Sequence, residues 1–228
     1  MAEPAVALAD LTRRYGEREA LAGVTLELGA GQTLAVLGAN GAGKTTLLRI
    51  LATLLRPHGG EARVLGEALP AQGWKVRGRI GLLAHDPLLY RQLSVRENLR
   101  LHARLHGVPL ARIEALLEEV GLRGRGDDPL RTLSRGLAQR AAICRAVLHE
   151  PDVLLLDEPY ANLDPAAVEA VRPLIGRETG RTRVVISHDV ESGLAEADLV
   201  LGLRGGRQAL LARPDALDRA DLKGLYGA

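Results

Sequence analysis

Along the first third of the chain, apolar residues come in short runs separated by glycine-rich turns. Residues 6–11, 21–28, 33–37, 62–65 and 79–83 read as strands. One helix interrupts them, starting near Gly43 and running to about Leu55, ahead of Pro57. The middle third changes to helical spacing. Ser94-Val95-Arg96-Glu97 is a capping box, in which the Ser oxygen takes a free amide and Glu97 reaches back. Its helix runs to His106 and stops at Gly107. A second helix begins near Pro109 and ends at Gly121, and a third spans 134–149, closed by Pro151. In the last third, 153–156 is an apolar run short enough for a buried parallel strand. Asp164 and Pro165 suit the N-cap and first turn of a helix, 183–187 reads as a strand, and 198–203 and 208–211 flank Gly205-Gly206 as a hairpin. The expected plan is a single domain over 1–228. An α/β core covers about 1–84 and 150–212, a helical subdomain about 85–149, and a short tail 213–228.

Composition narrows the class. The 228 residues are 46% apolar and 25% charged, with a net charge of +2. That is ordinary globular usage, and near-balanced charge argues against a nucleic-acid partner. With no Phe and only 2% aromatics, the core is expected to be Leu, Val, Ile and Ala. A single cysteine, Cys144, excludes a disulfide framework and a multi-Cys zinc site, and reads as a small buried residue. His102 and His106 share a helix face, which reads as solvated rather than metal-binding. The N-terminus lacks the pattern of a signal peptide, and no apolar run is long enough to span a bilayer. A cytoplasmic protein is expected.

The strongest chemical signal is Gly38-Ala39-Asn40-Gly41-Ala42-Gly43-Lys44-Thr45-Thr46, with a strand leading in and a helix leading out. Gly38, Gly41 and Gly43 let backbone amides turn toward phosphates, and the helix start adds positive potential. Lys44 would bridge phosphate oxygens, and the Thr45 hydroxyl would ligate Mg²⁺. Asn40 and Thr46 complete the loop. The second signal is the apolar strand that delivers Asp157 and Glu158 at its C-terminal end, where open α/β sheets bind ligands. Asp157 would sit in the Mg²⁺ shell and Glu158 would polarise water. Successive strand residues face opposite ways, so the two carboxylates can differ in task.

With these residues the sequence resembles the ATP-binding cassette (ABC) ATPases over nearly its whole length. The resemblance implies a phosphate-loop, RecA-like α/β core with an N-terminal antiparallel β region and an inserted helical subdomain. It also implies ATP hydrolysis with Mg²⁺. Leu133-Ser134-Arg135-Gly136-Leu137 resembles the family's signature loop, so Ser134 and Gly136 would close on a nucleotide held by another subunit. Arg135 and Leu137 depart from the usual Gly and Gln. Asn162-Leu163-Asp164 resembles the D-loop, and His188 the switch histidine, which would contact the γ-phosphate and support the water that Glu158 orients, so Lys44, Glu158 and His188 are the expected catalytic residues. Tyr15 resembles the aromatic that stacks on adenine. The segment 80–90 aligns with one that normally carries Gln. Here His85 stands in that place, as a candidate nucleotide and metal contact whose imidazole charge can change near neutral pH.

The family resemblance further implies a head-to-tail homodimer with ATP at each joint. It implies a separate integral membrane subunit and a place on the cytoplasmic face of the cell membrane. Residues 86–93 and the exposed side of the helix 94–106 are the candidate docking surface; its apolar Leu88, Leu89 and Tyr90 either meet a partner helix or fill the helical subdomain's own core. Ser-Arg-Gly in the signature, His-Asp-Pro-Leu-Leu-Tyr at 85–90 and Asp-Glu-Pro-Tyr at 157–160 resemble the haem-exporter ATPases of cytochrome c maturation. The alternatives are the ATPase of a drug or polysaccharide exporter, or a soluble ABC ATPase outside transport.

Overall fold

The computed structural model describes residues 3–226. Four antiparallel strands open the chain: β1 (Val6–Tyr15), β2 (Arg18–Leu28), β4 (Gly59–Val64) and β5 (Glu67–Leu69), in the order β2-β1-β4-β5. The second sheet has six strands: β3 (Thr33–Leu37), β6 (Ile80–Leu83), β7 (Val153–Asp157), β8 (Thr182–Ile186), β9 (Leu199–Arg204) and β10 (Arg207–Ala212). Their order is β10-β9-β3-β8-β7-β6, parallel throughout except for the hairpin strand β10. Helix α1 (Lys44–Leu51) follows β3, and the short α2 (Gly73–Val76) precedes β6. Helices α3 (Val95–His106), α4 (Ala111–Glu119) and α5 (Arg135–Val147) lie between β6 and β7. Helix α6 (Pro165–Ile175) follows β7, α7 (Val190–Glu196) follows β8, and α8 (Arg219–Tyr226) comes last.

The central strands are covered on both faces, which is why they read as unbroken apolar runs. Every residue of β3, β7 and β8 is buried. The two-residue period then sorts side chains between layers. From β7, Val153 and Leu155 join the cluster formed with α1 and the antiparallel sheet. Leu154 and Leu156 face α3–α6. From β3, Leu34 and Val36 take the first side, while Ala35 and Leu37 pack toward α7 and α8. Among the described residues these clusters contain only Leu, Val, Ile and Ala with the buried Cys144. Burial pushes the Cys144 thiol pKa up to about 12.

Several boundaries differ from the sequence reading. The first helix ends at Leu51 rather than near Leu55, because Thr53 takes a left-handed backbone (φ 61°) and the amides of Leu54 and Leu55 turn back to Arg49 O. β1 continues to Tyr15 because bulges between Leu8 and Thr12 reset its register instead of ending it. Strand β5 and helices α2, α7 and α8 had no expectation. The capping box is present: Ser94 Oγ accepts from Glu97 N at 3.1 Å, and Glu97 Oε2 accepts from Ser94 N at 2.7 Å.

The face of α3 expected to be solvated is so at His106, which is exposed, and is corrected at His102. His102 is half-buried, and His106 stacks on His149 with ring centroids 4.1 Å apart. His149 itself bonds Ile80 O at 3.0 Å. Burial, with Arg145 and the neighbouring imidazoles adding, lowers the pKa of His102 and of His149 to about 4. These groups favour the neutral ring in the folded state, whereas unfolded imidazoles take protons near pH 6.5. Their contribution to stability is therefore complete above about pH 6.5 and is lost as pH falls toward 4. The urea midpoint of the protein should drop between pH 7 and 5, and the His102→Gln/His149→Gln variant should drop less. Equal slopes in the two proteins would rule this out.

Candidate functional site

Three adjacent parallel strands, β3, β8 and β7, end on one edge of the sheet. Their register sets Val36 beside Ile186 and Ile186 beside Asp157. The glycine-rich loop leaves β3, His188 follows β8, and Glu158 follows β7. These three ends surround a cavity of about 420 Å³. Its lining includes Tyr15, Asn40, Gly41, Gly43, Lys44, Thr45, Thr46, His85, Asp157, Glu158 and His188. Arg18 and Ala20 of β2 close its outer wall, so the antiparallel sheet supplies one side of the site.

The loop is shaped by close packing. Gly43 caps α1 with φ 110°, and a Cβ there would stand 2.3 Å from Ala20 O. No other residue type fits this position without moving β2. Lys44 is buried and its ammonium donates to Gly38 O at 2.6 Å and Ala39 O at 3.1 Å. Burial lowers its pKa, against the opposing pull of Asp157 and Glu158. Thr45 Oγ1 donates to Asp157 Oδ2 at 3.3 Å. Burial and the Glu158 charge raise the Asp157 pKa, opposed by the Thr45 hydrogen bond, His85 and Lys44. An added cation would relieve that pair of carboxylates.

Glu158 has a left-handed backbone (φ 52°), held by its amide donating to Ile186 O at 2.9 Å. Strain of this kind persists only where the surroundings fix it. Its Oε1 lies 2.8 Å from His188 Nε2. Tyr15 is 46% exposed and borders the cavity, with the Arg13 guanidinium over its ring, 5.0 Å from the centroid.

The remaining expected residues lie elsewhere. Gly38 sits under the loop as a partner of Lys44, outside the cavity lining. Ser134 is exposed and caps α5, its Oγ accepting from Leu137 N at 3.3 Å. Gly136 packs against the turn after β7, where a Cβ would meet Asn162 O at 2.6 Å. Asp164 caps α6 by accepting from Ala167 N at 2.8 Å. A second cleft of about 470 Å³, lined in part by His85, Arg135, Gln139, Glu158 and Asn162, separates the α5 start from the carboxylates. His85 lines both cavities.

Sequence reasoning missed four residues. Arg18 lines the cavity and donates to Gly41 O at 2.9 Å. Gln139 donates to Pro159 O at 3.2 Å and Glu158 O at 3.4 Å, tying α5 to the carboxylate turn. Arg145 donates to Leu82 O and, at 3.3 Å, to Pro87 O, bracing the segment that carries His85. Burial lowers the Arg145 pKa to about 10. Asn98, fully buried, accepts from Tyr90 N at 2.8 Å and donates to Tyr90 O at 3.0 Å. Only a stray buried polar residue on an apolar helix face could have flagged Asn98. Leu88 and Tyr90 remain exposed while Leu89 packs inward, so the apolar cluster at 88–90 divides between the two expected roles.

Among the described residues no group of three or more His, Cys, Asp or Glu could hold a metal ion. Thr45 and Asp157 offer two neighbouring oxygens, a set that suits Mg²⁺, which keeps waters and substrate phosphates in its shell. The residues fit such an ion.

A parallel sheet with a phosphate-binding loop, two carboxylates and a histidine on one edge defines a nucleotide-binding domain of the phosphate-loop class. The family described as ABC transporter matches residues 21–161. A "Nod factor export ATP-binding protein I" from Ralstonia nicotianae (strain ATCC BAA-1114 / GMI1000) is 33% identical, covering 94% of this chain and 68% of that protein. A "Daunorubicin resistance ATP-binding protein" from Streptomyces coeruleorubidus is 39% identical, covering 91% and 67%. The chain thus spans about two thirds of the length of these relatives. Among solved structures, "Structure of ATP binding subunit of ABC transporter" superposes with a TM-score of 0.86 at 28% identity, covering 98% of this chain and 95% of that one. A dimeric ATP-binding cassette in a post-hydrolysis state, bound to ADP and Pi, gives 0.82 at 26% identity, covering 92% and 98%. The chain belongs to the ABC transporter family and carries its ATPase domain. Gly43→Ala should cost at least about tenfold in nucleotide affinity, roughly 1.4 kcal/mol, through displacement of the loop. Titration with a fluorescent ATP analogue checks this, and wild-type affinity would contradict the packing account.

Proposed function

We propose that the chain is the ATP-hydrolysing subunit of an exporter complex, working as two copies against a separate membrane-spanning subunit. One observation carries the reading. The cavity gathers the phosphate loop, the carboxylates and His188, while Ser134, Gly136 and Asp164 lie outside its lining on a neighbouring face. A site divided in this way is completed by the same face of a second copy. No helix among the described residues is long and apolar enough to cross a membrane, which agrees with a separate spanning chain.

Phosphoryl transfer to water needs position and charge stabilisation more than covalent help. The loop amides and Lys44 bind the phosphates, which take the ammonium over from the Gly38 and Ala39 carbonyls. Mg²⁺, held by Thr45 and Asp157, would neutralise phosphate charge when bound. Tyr15 stacks on the base, and Asn40 and Thr46 border the phosphate path. Glu158 orients the attacking water. His188 engages one of its oxygens, which leaves the other to accept the water's proton. His85 touches both the nucleotide cavity and the cleft toward α5, so it links occupancy of the site to the segment 86–93. The exposed Leu88 and Tyr90 in that segment would meet the membrane subunit. The complex would sit on the cytoplasmic face of the cell membrane.

Two cargo readings remain. The residues at 85–90, 134–136 and 157–160 resemble haem-exporter ATPases of cytochrome c maturation, but none of them contacts cargo. The relatives named for Nod factor export and daunorubicin resistance favour the other reading, the ATPase of a drug or polysaccharide exporter. Deleting the gene and assaying c-type cytochromes separates the two. Loss of cytochromes supports haem handling, and normal levels support the other class.

Glu158→Gln should abolish turnover while keeping nucleotide affinity, and should accumulate an ATP-bound dimer on size-exclusion chromatography. Lys44→Ala should lose both turnover and the dimer. A monomeric Glu158→Gln protein at saturating ATP would overturn the paired-copy reading.

A further inference from the structure

Arg183 is a fully buried arginine in β8, a strand whose other buried residues are Thr182, Val184, Val185 and Ile186. We propose that Arg183, Glu196 and Tyr160 are positioning residues for hydrolysis, holding His188 against Glu158. This rests on the reading that Glu158 and His188 serve ATP hydrolysis.

A buried guanidinium is expensive to desolvate, and well-packed apolar residues commonly stabilise a core as well or better. A charge here is therefore poorly explained by packing alone. Its bonds are directional. Nη2 donates to Glu196 Oε2, and Nη1 donates to Thr33 Oγ1 at 3.4 Å. Glu196 is the last residue of α7, and the first residue of α7 lies two positions after His188. The second carboxylate oxygen, Oε1, accepts from Tyr160 Oη at 3.5 Å. Tyr160 lies two positions after Glu158. One carboxylate thus anchors the far end of α7 to the central sheet and to the turn that carries Glu158.

Helix α7 also packs on β3 through Val190 and Leu194, in a cluster that includes no residue of that turn. Between helix and turn lies a cavity of about 300 Å³, bordered by Pro159, Tyr160, Ser187, Ser192 and Gly193. Across that cavity the Tyr160–Glu196 hydrogen bond ties the helix to the turn. A seven-residue helix is only about 10 Å long, and a tilt at Glu196 is carried to its start beside His188. The contact at stake is the 2.8 Å approach of His188 Nε2 to Glu158 Oε1. The other holds on the turn, from Gln139 and from Ile186 O, fix Glu158 but not α7.

The test uses the full chain and two variants. Tyr160→Phe removes one hydroxyl, and Arg183→Leu/Glu196→Leu replaces the ion pair with apolar residues. Steady-state ATPase, nucleotide affinity and melting temperature are measured for each. Both variants should lose about tenfold in kcat with KM and affinity within about twofold of wild type, and Tyr160→Phe should melt like wild type. Wild-type kcat in both variants overturns the proposal. So does loss of affinity and melting temperature in step with kcat, which marks a purely structural role. Glu158→Gln serves as the control. If it turns over like wild type, the hydrolytic reading fails first and the positioning role falls with it.

Discussion

The site depends on one constraint: β3, β8 and β7 are adjacent, parallel and end at the same level. Each strand is buried on both faces, so its register is locked by two apolar layers at once. A slip of one residue in β7 would send Asp157 to the opposite face and carry Glu158 away from His188. The chemistry is thus fixed by apolar packing beneath it. Loops then add the detail, with Gly43 pressed against Ala20 O and Glu158 held in a left-handed backbone.

Much of the fold was legible because its signals are local. Unbroken apolar runs mark the central strands, and Ser94 with Glu97 marks the start of α3. The phosphate loop announces itself through glycines whose backbone freedom the packing requires. Boundaries were read poorly where a bulge or a left-handed residue intervened, as at Asp10 in β1 and Thr53 after α1. The unread parts of the site are long-range. Gln139 reaches 20 residues along the chain to Pro159, and Arg145 reaches 63 to Leu82. The His106–His149 stack likewise joins α3 to the segment after α5. No short window of sequence contains both partners of such a contact.

The residues expected to contact nucleotide fall into two groups in the structure, and the proposed function rests on that division. Lys44, Asp157, Glu158 and His188 share a cavity, while Ser134 and Gly136 begin α5 across a cleft bordered by His85. Within one chain, α5 is braced to the carboxylate turn by Gln139 and to the segment after β6 by Arg145. Under the proposed reading, these braces would let closure of a second copy on the nucleotide be felt at residues 86–93. Under that reading the binding energy of ATP would have a route to a membrane partner.

The most direct test of a site shared between copies mixes two inactive chains. Lys44→Ala cannot bind phosphate, and Ser134→Arg blocks the face that would close on the nucleotide. Each alone should show almost no ATPase activity. Mixed in equal amounts, they form pairs with one joint in which an intact phosphate loop meets an intact Ser134. The account predicts that activity returns on mixing. Wild-type turnover by Ser134→Arg alone, or a mixture that stays inactive although mixed pairs are captured by cross-linking, would contradict it.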